Sequence, residues 1–276
     1  MRRRFTPLEL MITAASLLCA VLWAFPVYWA VVTSLKSETD AVAPGVHLLP
    51  QHWTVESYVF VLRHTQILRW YLNSLGTAVI ITIVVIGISA ACGYALSQLR
   101  FPGRRLLYGL IIASFMVPIQ ALIVTHFILM ASFGFINTWA GVILPQLIVP
   151  VVTIVYKNFF DSIPKDYREA AILDGASHLS LLGRIYLPMN WGVTTALAII
   201  TFIGAWNNFL WPFLVGTTDD AMTVTVGIAQ VHSAYGIQYA RTSALAVMAG
   251  MPVVIAYLIF QRRVTESVML STGVKG

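Results

Sequence analysis

Six long stretches of this sequence carry no Asp, Glu, Lys or Arg: residues 11–32, 75–96, 106–130, 138–156, 193–215 and 244–260. That pattern limits the fold more than any other feature. About 20 apolar residues cross a hydrocarbon core as a helix. Only helices and closed barrels can pair every backbone group inside lipid. Of the 276 residues 58% are hydrophobic and 10% charged, and mean hydropathy is +0.80. A soluble domain carries about 25% charged residues. The chain therefore reads as an all-α membrane protein with six transmembrane helices, residues 1–276 forming a single transmembrane domain.

The charges give the orientation. Arg2, Arg3, Arg4, Arg100, Arg104, Arg105, Lys157, Lys165, Arg168, Arg184, Arg262, Arg263 and Lys275 fall on one side of such a six-span chain. Lys36, Arg63, Arg69 and Arg241 fall on the other. The positive-inside rule then places both termini, and the polar stretch 157–190, in the cytoplasm. The net charge of +6 is spread over the ends of apolar runs, which does not suit nucleic-acid binding. The N-terminal run is too long for a signal-peptide core and reads as a retained first span, with Pro26 a possible kink. Cys19 and Cys92 lie inside apolar runs and read as buried small hydrophobes. His47, His52 and His64 lack a compact metal-ligand spacing.

The uncharged spans also bear on energy. Ion-coupled carriers keep ionisable groups at membrane depth, and the sequence gives no sign of an inverted repeat of broken helices. No paired intramembrane carboxylates, zinc spacing or nucleophile elbow points to an enzyme. Energy for any transport should therefore come from a partner. A stand-alone secondary carrier or channel is the rival reading.

The polar stretch KNFFDSIPKDYREAAILDGASHLSLLGRIYLP, from Lys157 to Pro188, holds Asp161, Asp166, Glu169 and Asp174. Pro164 suits the start of a helix, and Asp166 and Glu169 suit the positive end of its dipole. Gly175 is a natural stop. Ser177 can cap a second short helix, which Pro188 is expected to close. Ile172, Leu173, Leu181 and Leu182 look short of covering chain and are expected to need a partner surface or the membrane interface.

Glu169-Ala170-Ala171, then Gly175, Ile185 and Leu187-Pro188, resembles the EAA loop of ABC-importer permeases. The resemblance extends over nearly the whole chain. It takes in LLPQHWTVESYVFVL, Asn73-Ser74, GYALSQLRFPGR, Ile163-Pro164, Asp174-Gly175-Ala176-Ser177, Phe202 with Trp206-Asn207-Asn208, and Phe260-Gln261-Arg262. Together these are similar to the carbohydrate-uptake branch, in its MalG-like subunit. The tail keeps Val274-Lys275-Gly276 but not the glycines that often precede it in the family.

The resemblance implies a type I (MetI-like) permease fold in a bacterial or archaeal cytoplasmic membrane. It implies a second homologous permease, two cytoplasmic ATPase subunits and an extracytoplasmic substrate-binding protein. ATP and Mg would be bound by the ATPase, with no cofactor in this chain. Glu169, Ala170, Ala171, Asp174, Gly175, Ile185, Leu187 and Pro188 would form the ATPase-coupling site. Glu169 would make polar contacts, the alanines would allow close approach, and Gly175 would set the bend. Residues 216–241 would face the binding protein, the alternative being a simple solvated loop.

For the solute pathway, Asn207 and Trp211 are i, i+4 and would share a helix face, with Asn208 beside Trp211. Amides can bond hydroxyls and an indole can stack on a sugar face. Gln120 is a further candidate, as are Thr125, His126 and Gln146. The uncharged spans favour a neutral sugar, while a polyol or a glycerophosphate-like solute remains an alternative.

Overall fold

The structure is a computed structural model that describes residues 6–235 and 238–271, without the side chains of 232–235, 256–257 and 259–271. Arg2, Arg3, Arg4, the Phe260-Gln261-Arg262 side chains, Arg263 and the Val274-Lys275-Gly276 tail lie outside it. Fifteen α-helices and no strand occur among the described residues. They are α1 (Pro7–Ser34), α2 (Glu38–Ala41), α3 (Glu56–His64), α4 (Ile67–Gln98), α5 (Arg104–Phe115), α6 (Ile123–Ser132), α7 (Trp139–Ile143), α8 (Pro150–Asp161), α9 (Lys165–Leu173), α10 (His178–Leu181), α11 (Leu187–Met189), α12 (Trp191–Trp206), α13 (Leu210–Val215), α14 (Val224–Tyr235) and α15 (Tyr239–Ser271). The chain divides into two compact units, residues up to Leu68 with Gly227–Pro252, and Arg69–Val226 with the chain from Val253.

In the first unit, α1 opens on a capping box. The Glu9 amide donates to Thr6 Oγ1 at 3.3 Å and the Thr6 amide to Glu9 Oε2 at 2.8 Å. The helix runs through Pro26 without ending. Its most apolar window is wholly exposed, as expected for a helix facing lipid or another chain. The connection after it is folded. Lys36, 3% exposed, donates to the His47 carbonyl at 2.7 Å and lies 5.0 Å from the Trp29 ring. Glu38 accepts the Ala240 and Arg241 amides at 3.3 and 2.9 Å, satisfying donors at the start of α15. The Arg241 guanidinium covers the Phe60 ring at 3.7 Å.

The second unit is built on α4. Ile81, Val85, Ala90 and Tyr94 pack with Ile143, Val152, Tyr156, Phe160, Ile163, Leu181 and Tyr186 in one buried cluster. Gly93 lets α8 come close, since a Cβ there would stand 2.7 Å from Tyr156 Cβ and 3.0 Å from the Lys157 amide nitrogen.

Helix continuity departs from the sequence reading. Among the described residues α1 and α4 are long and apolar enough to cross a membrane. The ranges read as the third and fourth spans are bent at breaks, the fifth is interrupted between Trp206 and Leu210, and a further bend lies ahead of it at Asn190. Arg104–Phe115 meets Ile119–Ser132 at 91°, Trp139–Gln146 meets Pro150–Asp161 at 48°, and His178–Met189 meets Trp191–Trp206 at 86°. A residue before proline is pushed out of the helical region. Val149, before Pro150, is accordingly extended at φ −123° and ψ 92°. Pro118 is itself extended at ψ 127°, and α5 has already ended at Phe115. Pro118, Pro145 and Pro150 are visible in the sequence, but each reads equally well as a kink within a single span.

Residues 216–241 are not a simple solvated loop either. They contain α14, whose first turn holds Val224 and Val226 fully buried.

Candidate functional site

The polar stretch folds as two helical limbs about a glycine turn. Helix α9 starts after Pro164 and ends in a Schellman motif. The Ala176 amide donates to the Ala171 carbonyl at 2.9 Å, and the Gly175 amide to the Ile172 carbonyl at 3.0 Å. Gly175 sits at φ +79°, a conformation other residues rarely adopt. Ser177 then caps α10, accepting the Ser180 amide at 3.3 Å.

The second limb does not stop at Pro188. Leu182–Tyr186 forms a π-turn, and Pro188 lies in the first turn of α11. A proline at 188 has no amide for the Arg184 carbonyl four residues back. A π-turn serves each carbonyl from five residues on, so the limb carries through to Asn190, whose Nδ2 donates to the Tyr186 carbonyl at 2.9 Å.

The eight residues read from the sequence as one set divide between two faces. Glu169, Ala170, Asp174, Gly175 and Pro188 are exposed, while Ala171, Ile185 and Leu187 are half-buried against the α4–α8 core. Leu181, expected to need an external surface, is fully buried in that core, and Leu182 packs against it. The apolar residues left outside are Tyr167, Ile172, Leu173 and Leu179, with Leu173 and Leu179 at 89% and 81% exposure. A short amphipathic limb can thus be covered by its own helices on one side and bare on the other.

Beneath this segment, Lys157 and Asp161 pair at 2.6 Å on successive turns of α8. Ser97 Oγ donates to Asp161 at 2.6 Å, and Gln98 to the Phe160 carbonyl at 3.2 Å. Arg104 caps α4 through the Ser97 and Leu99 carbonyls, both at 3.1 Å. The cytoplasmic-side expectation for 157–190 therefore falls on a polar, tightly bonded end of the helices.

A second candidate region is a cavity of about 520 Å³. Its wall is mostly Ile, Val and Leu, with Gln120, His126, Gln146, Asn208 and Trp211 among them and no Asp, Glu, Lys or Arg among the described residues. Three of the four pathway candidates thus line one space. Asn207 is the exception. Helix α12 ends at Trp206, and Asn207 is its exposed C-cap. The i, i+4 face expected for Asn207 and Trp211 does not form. Pro212 is the physical reason, because it has no amide to offer the Asn208 carbonyl four residues back. Thr225 Oγ1 bonds that carbonyl instead, at 2.9 Å.

Within the cavity, Asn208 Nδ2 donates to Gln146 Oε1 at 2.6 Å, and Gln146 Nε2 donates to the Val142 carbonyl at 2.8 Å. Trp211 spends its indole N–H on the Gly141 carbonyl at 3.0 Å and meets His126 edge-on at 6.1 Å. The Gln120 amide has no hydrogen-bond partner among the described residues and is exposed to the space. Such a wall can bond hydroxyls through amides and slide apolar faces, but it offers no charge to an ionic group.

Two other clusters are not legible in the sequence. Asn73 Nδ2 donates to the Asp220 and Met222 carbonyls, both at 2.8 Å, while its Oδ1 accepts Trp139 Nε1 at 2.9 Å. Tyr94 bonds His178 at 3.0 Å. Both residues sit in stretches that carry the family resemblance, Asn73-Ser74 and GYALSQLRFPGR, but sequence gives no partner for either.

Residues 57–268 match the family described as binding-protein-dependent transport system inner membrane component. The chain belongs to that family. This permease is 34% identical to the diacetylchitobiose uptake system permease protein NgcG of Streptomyces coelicolor, over 98% of its own length and 89% of the relative's. It is 29% identical to the arabinooligosaccharides transport system permease protein AraQ of Halalkalibacterium halodurans over the full length of both. Its fold is that of a chain in the crystal structure of a bacterial ABC transporter involved in the import of the acidic polysaccharide alginate. The TM-score is 0.84 at 22% identity, over 94% of this permease and 99% of that chain.

Proposed function

We propose that this permease is one of a pair forming the translocation pathway of an ATP-driven importer for a neutral sugar or sugar-like solute. It works with a homologous permease, two cytoplasmic ATPase subunits that bind ATP and Mg, and an extracytoplasmic binding protein. It has no catalytic site of its own. Six spans keep both termini in the cytoplasm of a bacterium or archaeon. Glu169, Ala170, Asp174 and Gly175 face the ATPase, while Ala171, Ile185, Leu187 and the buried limb behind them anchor the segment to α4 and α8. Gln120, Asn208 and Trp211 border the solute path, with Asn207 at its edge.

The observation that carries this reading is the helix, Gly175 turn and helix whose one face is bare and whose other is fused to the transmembrane core. A segment built so can receive force outside the membrane and deliver it inside. The sugar follows from what the relatives are named for. A neutral one follows from a cavity wall without charge.

The test is reconstitution of the complex in proteoliposomes, with ATP hydrolysis and uptake followed across neutral oligosaccharides, monosaccharides, polyols and glycerophosphates. The reading expects ATP-dependent uptake of a neutral saccharide. Uptake driven by this chain alone, without ATPase, would show a secondary carrier or channel instead. Exclusive uptake of a glycerophosphate would overturn the neutral-solute assignment.

A further inference from the structure

Both limbs of the polar segment pack against the buried cluster that holds Tyr94 of α4. Tyr94 is 4% exposed, and its hydroxyl lies 3.0 Å from His178 Nδ1 on the second limb. Its ring stands edge-on to Tyr186, centroids 5.1 Å apart at 81°, and Tyr186 in turn stands edge-on to Phe160 of α8 at 5.4 Å. From the first limb, the half-buried Arg168 reaches the Tyr94 and Tyr186 hydroxyls with its charge. Tyr94 thus bonds the second limb directly and belongs to the buried cluster against which Ala171 of the first limb packs.

The joint also holds unused hydrogen-bonding capacity. Arg168 Nε and the Tyr186 hydroxyl are buried without a hydrogen-bond partner among the described residues. An unpaired buried polar group costs free energy, so these atoms gain from any small rotation that gives them partners. The π-turn at Leu182–Tyr186 sits in the same place, and such turns recur at functional sites.

We propose that Tyr94 is the positioning residue through which movement of the Lys165–Met189 segment is passed to α4, with its hydroxyl bond to His178 holding the two in register. This rests on the reading that the segment receives an ATPase. Tyr94→Phe keeps the ring and its packing and removes the registering hydroxyl. Its predicted effect is a segment that still docks and moves but slips relative to α4.

A reporter at residue 204 reads this. Gly204 lines the cavity, and a Cβ there meets nothing within 4 Å, so Gly204→Cys fits. With Cys19 and Cys92 replaced by Ser, the full complex with its binding protein is probed by a membrane-impermeant thiol reagent, with and without MgATP and vanadate. In the parent, trapping changes the labelling rate by at least about fivefold, the lower end of ordinary coupling. In Tyr94→Phe and in His178→Ala, nucleotide is still trapped but labelling no longer responds. His178→Asn, whose amide oxygen can accept the same bond, restores the response.

A Tyr94→Phe complex that traps nucleotide and responds like the parent overturns the proposal. If Tyr94→Phe fails to assemble, His178→Ala, at an exposed position, decides the matter by the same criterion. Glu169→Lys separates the two ideas. If it loses the ATPase while Tyr94→Phe behaves like the parent, only the joint is wrong. If it keeps the ATPase and normal response, the underlying reading of the segment is wrong.

Discussion

Two glycines show how differently the same residue can constrain this chain. Gly175 has open space around it but sits at φ +79°. Gly175→Val therefore costs about 1–2 kcal/mol through backbone strain alone, and Gly175→Asn costs less because Asn tolerates that region. The two should be ranked that way in thermal unfolding of the purified complex, with Val also uncoupling hydrolysis from uptake. Gly93 is in ordinary helical geometry, yet a Cβ would meet Tyr156 Cβ at 2.7 Å. Gly93→Leu should drive α4 and α8 apart and remove folded protein, read as loss of the monodisperse peak on size exclusion. The first glycine is legible in sequence because a helix stop followed by a capping Ser is a local pattern. The second is visible only as one small residue among many, since its meaning depends on a partner more than 60 positions away.

Among elements, the helix breaks carry the sharpest lesson. Pro118, Pro145, Pro150 and Pro212 are all readable, but whether a proline kinks a span or ends it depends on what takes over the stranded carbonyl. At Asn208 that role falls to Thr225, a residue of the 216–241 segment. The same stitching runs along the N-terminal end of α4. Asn73 holds the Asp220 and Met222 carbonyls and is itself held by Trp139, while the Val224 amide donates to Ser74 at 2.8 Å. Removing three partners of one buried amide costs about 2–3 kcal/mol. Asn73→Ala should therefore loosen residues 217–221, seen as protease cleavage there in sealed, right-side-out vesicles under conditions that leave the parent intact. In the cavity, Asn208→Leu strands Gln146 Oε1 and should lower uptake several-fold with ATP hydrolysis retained, measured as solute moved per ATP consumed. The amides are legible as polar residues in apolar runs. Their pairing is not, because Asn207 and Asn208 look equivalent until Pro212 has broken the helix.

At the scale of the whole molecule, membrane class, helical fold and family follow from uncharged runs and one spaced motif. Those signals are local or additive along the chain. Which face of the motif is bare requires the fold, because Leu181 and Leu173 look alike in sequence yet one is fully buried and the other 89% exposed. On the proposed function, this exposed face takes force from an ATPase and the buried face passes it into the membrane. The most direct test is ATP-driven uptake by proteoliposomes carrying the complete complex with Glu169→Lys, with ATPase co-purification scored on the same preparation. A charge reversal on the bare face should leave the permease inserted and folded, lose the ATPase and abolish uptake. Normal uptake with the ATPase still bound would contradict that division of labour between the two faces.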